Sequence, residues 1–236
     1  MGLEKLMGKT SVEVLSYLPE LEWKLNRDEV KLRKFYFVNY GIKKIIIPKR
    51  EQDEFFFLSV EELPQKIEGN KIFVEKGKRI GILSLVEVDS TQLKEVYQGH
   101  IPMIDIDTHN TSLDRFEEKD LLKIIKEKIG LLEIQQGLIL SSGNRNYHFV
   151  GMGNLLNEKE LLDFLGNCLV DLRYETTQGE EISLAHPAHI RHALNPLRGL
   201  EEDRLNFLSS KFVTLRVSPK EGKYPKVIDV YEGDKK

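Results

Sequence analysis

The sequence predicts a two-lobed α/β (α+β) protein, and three observations carry that expectation. Short runs rich in β-branched and aromatic residues recur through the first hundred positions, at 42–48, 54–58, 71–75 and 79–88. From residue 101 the pattern turns to strand, amphipathic helix, two strands around a polar turn, and a second helix. No repeat or low-complexity linker interrupts either half. The expected division is an N-terminal α/β lobe over 1–100 and a second lobe over 101–236 that carries the chemistry.

The elements follow in order. Thr10 and Glu13 have capping-box spacing before a short helix that Pro19 stops. Asn26 and Glu29 share that spacing, so residues 30–40 read as helix, although their aromatics also suit a strand. Residues 90–97 read as a helix closed by Gly99. Residues 102–107 form a strand. Asp114 caps a helix to about residue 133, with Leu121, Leu122, Ile125 and Ile129 on one face. Residues 137–141 and 147–151 are strands. Asn157 and Glu160 open another helix, which runs to about 169. An insertion over about 171–210 leads to a last strand at 211–218. The order β-α-β-β-α-β is the ferredoxin-like, or split βαβ, arrangement also found in RNA-recognition domains. That order alone specifies no chemistry.

Composition narrows the function. The 236 residues are 40% hydrophobic and 31% charged, which fits a globular chain with a real core. No apolar stretch is long enough to cross a bilayer, and no signal peptide is read at the start. The expectation is a cytoplasmic protein without a membrane partner. The lone Cys168 excludes an internal disulfide and a cysteine-based zinc site. The net charge of −3 argues against a protein that merely coats nucleic acid.

Two motifs carry chemistry. In Met103-Ile104-Asp105-Ile106-Asp107 the strand period puts both aspartates on one face and both isoleucines on the other. Carboxylates so close repel unless a cation lies between them, and Mg²⁺ or Mn²⁺ prefers oxygen ligands. The bland alternative is a pair of solvated aspartates at a strand end. Ser142-Gly143-Asn144-Arg145-Asn146-Tyr147-His148 is a hairpin in which Gly143 and Asn146 can take the positive φ of a tight turn. Ser142, Arg145 and His148 gather a hydroxyl, a guanidinium and an imidazole suited to a triphosphate. In this topology the aspartate strand and the hairpin's second strand are neighbours, so metal ligands and phosphate donors would adjoin, as two-metal nucleotidyl transfer needs. His186, His189 and His192 read as surface or phosphate-facing groups rather than a zinc site, with Pro187 interrupting a helix start.

The hydrophobic-Asp-hydrophobic-Asp strand followed by a Ser-Gly-x-x-Gly-x-His hairpin resembles the first two motifs of the archaeo-eukaryotic primase superfamily. Asn146 stands where that family usually has Gly. The resemblance covers mainly residues 101–220. It implies a primase-like fold with an RNA-recognition-like core and a template-dependent nucleotidyltransferase, a primase or primase-polymerase, using two divalent cations, Mg²⁺ or Mn²⁺, and no zinc. It implies Asp105, Asp107 and a third acidic ligand, for which Asp171 in Asp171-Leu172-Arg173-Tyr174 is the candidate and Asp229 its rival. It implies nucleotide contacts from Ser142, Gly143, Arg145, His148, Arg216 and Lys220. The implied partners are nucleoside triphosphates, a DNA or RNA template or primer, and a larger primase subunit or helicase. Three alternatives stand beside it. Residues 145–152 also resemble the octapeptide of an RNA-recognition module, a cyclase-like palm could use the same carboxylates, and a catalytically inactive relative could keep the fold.

Overall fold

The computed structural model describes residues 2–41, 54–68, 71, 72, 74, 78–91, 95–109, 111–187, 190, 193 and 212–233. The chain begins with helix α1 (Ser11–Tyr17), closed at its start by the Thr10–Glu13 capping box and followed by a 3₁₀ turn containing Pro19. Strand β1 (Trp23–Leu25) then turns through Asn26 and Arg27 into the 14-residue β2 (Asp28–Gly41). Asn26 and Arg27 both have positive φ, 54° and 73°, so this spacing marks a hairpin and not a capping box. The helix expected over 30–40 is therefore strand. Buried Val30 and Leu32 alternate with exposed Lys31 and Arg33, and Phe35 to Val38 are buried on both faces.

The first lobe continues with β3 (Glu54–Ser59), a one-turn helix α2 (Leu63–Lys66), the short pair β4 (Ile67–Glu68) and β5 (Lys71–Ile72), β6 (Lys78–Ser90) and β7 (Val96–His100). The expected strand over 42–48 lies outside the described residues. The helix expected over 90–97 is instead the end of β6 and the start of β7, which pair antiparallel from Asp89 with Val96 to Leu85 with His100.

The second lobe holds β8 (Met103–Asp107), α3 (Glu118–Gly130), β9 (Gln136–Gly143), β10 (Asn146–Gly151), α4 (Glu158–Asp171) and the small hairpin of β11 (Arg173–Glu175) and β12 (Glu181–Ser183). Then come β13 (Thr214–Arg216) and β14 (Lys226–Glu232). Asn157 and Glu160 form the expected capping box of α4. Asp114 does not cap α3. It lies in a 3₁₀ turn, Ser112–Arg115, capped by the Thr111 hydroxyl, and the helix starts after Glu117.

The class is mixed α/β, built on two antiparallel sheets with few helices. The first runs β1-β2-β6-β13, with β3 on β2 and β7 on β6; the second runs β14-β9-β10-β8. Both β8 and β9 are antiparallel to the β10 that separates them, so β8-α3-β9 is a split βαβ unit. The last strand is where the expectation fails. Residues 214–216 join β6 in the first sheet, with Leu215 opposite Ile82, and the fourth strand of the second sheet is β14, beside β9. Three residues flanked by irregular chain give no signal of which sheet they will enter.

One apolar core runs through both lobes, joining Phe35, Phe37 and Val86 of the first sheet to Met103, Leu138, Leu140 and Phe149 of the second. A division at residue 100 therefore separates most strands but not the packing. The chain start is part of this: Thr10 bridges Lys226, and the Ser11 amide donates to the Pro225 carbonyl. Gly137 permits the closest approach inside the second sheet, since a Cβ there would fall 2.5 Å from the Phe149 ring. Among the described residues no helix is long and apolar enough to cross a membrane.

His100 is 2% exposed at the end of β7, its Nδ1 3.4 Å from the Ser84 hydroxyl. Ser84 Oγ also accepts from the Val213 amide. Burial pushes the imidazole down to about 4. The unfolded chain then binds the extra proton between about pH 6.5 and 4, so this group's contribution is full above 6.5 and is lost as pH falls through that window. The stability margin of the wild type over His100→Gln should shrink by about 2 kcal/mol between pH 7 and pH 5, measured by urea unfolding. A constant margin would show that His100 charges equally in both states.

Candidate active site

The ladder between β8 and β10 sets the site. Asp105 stands opposite His148 and Asp107 opposite Asn146, while Ile106 faces Tyr147 and Ile104 faces Phe149. Directly paired residues share a sheet face, so Asp105, Asp107, Asn146 and His148 lie on one side. Ile104, Ile106, Tyr147 and Phe149 are buried on the other. The two carboxylates are 28% and 36% exposed, and His148 Nε2 lies 3.8 Å from Asp105 Oδ1.

The outer edge of β8 is not bare. The Asp107 amide donates to the Leu184 carbonyl at 3.1 Å, and the His186 amide donates to the Asp105 carbonyl at 3.0 Å. Ala185 thus bridges Ile106, and His186 comes up beside Asp107, its Nε2 4.0 Å from Oδ2. The pairing is by the extended residues 184–186, and Pro187, expected to interrupt a helix start, is itself helical, with the Ile190 amide donating to the His186 carbonyl. His189 and His192 lie outside the described residues. Nothing local in the sequence marks His186 as a neighbour of Asp107, because about eighty positions separate them.

The hairpin is built around two left-handed residues, Asn144 (φ 52°) and Arg145 (φ 56°), preceded by Gly143 at φ 96°. This is the mirror-image turn that matches strand twist. Gly143 serves by conformation alone, since a Cβ there would meet nothing within 4 Å. Asn146, expected to need positive φ, sits at a ladder irregularity at the start of β10 without positive φ, so the Gly-to-Asn departure needs no left-handed backbone. The Ser142 hydroxyl donates to the Asn146 carbonyl and so braces the turn.

Arg145 also turns to structural work. Its Nη1 donates to the Leu113 carbonyl, and its Nε lies 3.9 Å from Asp114 Oδ1. Its carbonyl accepts from the Thr108 hydroxyl at 2.7 Å. Asp114 lies 3.7 Å from His109 Nδ1, and the His109 amide donates to Asp107 Oδ1. These contacts bind the loop after β8 to the hairpin and fix the backbone beside Asp107.

Arg216 crosses between the sheets. From β13 its Nη2 donates to the Ser142 carbonyl and its Nη1 to the Ser218 carbonyl, each at 2.7 Å. Burial lowers its pKa, Tyr40 and Asp105 act to raise it, and the charge of Arg79 lowers it further. Lys220 closes the Lys220–Lys223 turn through its backbone. Asp171 is the last residue of α4. Asp229 pairs with Ile139, on the sheet face away from Asp105, and its carboxylate lies 2.7 Å from Lys126 Nζ.

As oxygen donors on one strand face, Asp105 and Asp107 suit a divalent cation. Among the described residues no three His, Cys, Asp or Glu side chains converge as a metal-binding group. Comparisons with protein-family models, curated proteins and solved structures return no match to this chain.

Replacing Arg216 with Met should cost about 1–3 kcal/mol of stability in denaturant unfolding, because two part-buried carbonyls lose a charged donor. Arg216→Lys should restore only part of it, since one ammonium cannot reproduce the two-pronged guanidinium.

Proposed function

We propose that this chain is a template-directed nucleotidyltransferase of the primase-polymerase kind, joining nucleoside triphosphates along a DNA or RNA strand. The observation that supports the reading is one sheet face shared by the part-exposed Asp105 and Asp107 and the buried His148, with Arg216 arriving from the other sheet. Acid pair and basic donors are then within reach of a single nucleotide.

Asp105 and Asp107 would hold Mg²⁺ or Mn²⁺, which when bound neutralises phosphate charge and activates the attacking oxygen. The chain's own side chains supply the rest. His148 presents an imidazole to a phosphate oxygen from a rigid strand. Arg216 has five N–H groups, and those not donating to Ser142 and Ser218 remain for phosphate. The braced hairpin holds Ser142 and Gly143 against the same site, so little reorganisation is needed on binding. The 3′ hydroxyl of a primer or first nucleotide attacks the α-phosphorus and pyrophosphate leaves. Rate enhancement comes from positioning and charge complementarity without a covalent enzyme intermediate.

The test is labelled-nucleotide incorporation on primed and unprimed templates with Mg²⁺ or Mn²⁺. Asp105→Ala should lower incorporation by about 100-fold or more in either metal. Its melting temperature without metal should be unchanged or higher, because one of two like charges is gone. Full activity of this variant would remove the basis of the proposal. Metal-free nucleic-acid binding without incorporation would mark a binding module instead. His148→Ala should raise KM about tenfold while changing kcat less, as loss of a charge-assisted contact to the nucleotide requires. An unchanged KM would count against its phosphate role.

A further inference from the structure

A second basic residue stands beside Arg216, and neither sequence motif includes it. Arg79 lies opposite Tyr40 in the β2–β6 ladder, and Gly81, two positions on, pairs with Arg216 of β13. By strand alternation Arg79 and Arg216 project from the same face of the first sheet. Arg79 Nε is buried without a hydrogen-bond partner, and among the described residues Arg79 forms no ion pair. Its charge is close enough to act on the Arg216 guanidinium, which also feels Asp105 from the second sheet.

Two guanidinium groups converging on one partly buried face repel each other, and an orphaned N–H is costly where water is scarce. Among the described residues no carboxylate pairs with Arg79, and Arg216 already directs two donors to the carbonyls of Ser142 and Ser218. A multivalent oxyanion satisfies the arrangement, because its oxygens can accept from both planar forks at once.

We propose that Arg79 and Arg216 form a phosphate-binding subsite on the first sheet, next to the Asp105 face. This rests on the nucleotidyltransferase reading for its purpose: the subsite would take phosphate from the nucleotide tail or from the strand backbone. Its existence is testable without turnover. Isothermal titration at fixed ionic strength, in chelator, would use inorganic tripolyphosphate in one arm and a thymidine oligonucleotide in the other.

Arg79→Gln should weaken tripolyphosphate binding about tenfold or more, with Arg79→Lys intermediate. Loss confined to the oligonucleotide arm would also support the subsite and assign its phosphate to the strand backbone. Wild-type affinity in both arms for Arg79→Gln would overturn it. The melting temperature of ligand-free Arg79→Gln should match or exceed wild type, since the removed Nε has no partner to lose. If that variant does not fold, Arg79→Lys decides, because wild-type affinity with its single ammonium would equally overturn a two-fork site. An Arg79-dependent tripolyphosphate affinity in a chain that incorporates no nucleotide would leave the subsite standing and remove only the catalytic reading.

Discussion

Asp105 lies across from His148 because β8 and β10 pair in one register, and almost everything at the site follows from that alignment. A sheet has a side-chain period of two, so a slip of one residue would turn both aspartates toward the layer that now holds Phe149, Ile139 and Tyr231. It would also lift Ile104 and Ile106 out of the core. Burying two carboxylates and exposing two isoleucines is costly on both counts. The hydrophobic core thus selects the arrangement that leaves the acids together on the open side. The left-handed pair Asn144 and Arg145 supports the same choice by fixing where β9 turns into β10.

Local sequence was a good guide at several places where a local force decides, though not at Asn26 or Asp114, whose cap spacings mark a hairpin and a 3₁₀ turn. The i, i+2 spacing of the aspartates, the capping boxes at Thr10 and Asn157, and the hairpin at Gly143 all act over a few residues, and each is found in the structure. Where tertiary packing decides, the pattern misled. Residues 30–40 carry apolar side chains on both faces because a second sheet and a second cluster around Tyr36 and Leu83 cover them, which erases strict alternation. β13 is too short to show a period, and its place in the first sheet depends on β6. His186 next to Asp107 is a product of chain crossing, with no signature in its neighbours. Arg145 looked like a free cation, yet Leu113 and Asp114 lie close enough to engage it.

A net charge of −3 says little about the surface that matters. On one face of β8 the acids lie beside the imidazoles of His148 and His186, and Lys126 pairs with Asp229 on the far side of the sheet. The two charge systems are separated by a layer of Ile104, Ile139 and Phe149. That apolar layer keeps the exposed acid pair from being neutralised by lysines of α3. It preserves an unevenness of charge that whole-chain averages hide.

The pairing of the opening segment with the last strand has a bearing on how such a chain assembles. Thr10 bridges Lys226, the Gly8 amide donates to the Val227 carbonyl, and the Val227 amide donates back to Lys9. During synthesis those early groups wait, unpartnered, until more than two hundred further residues have emerged. Contacts of such long sequence separation cost loop-closure entropy before they form, so a chain that depends on them should mature slowly and then come apart as a unit.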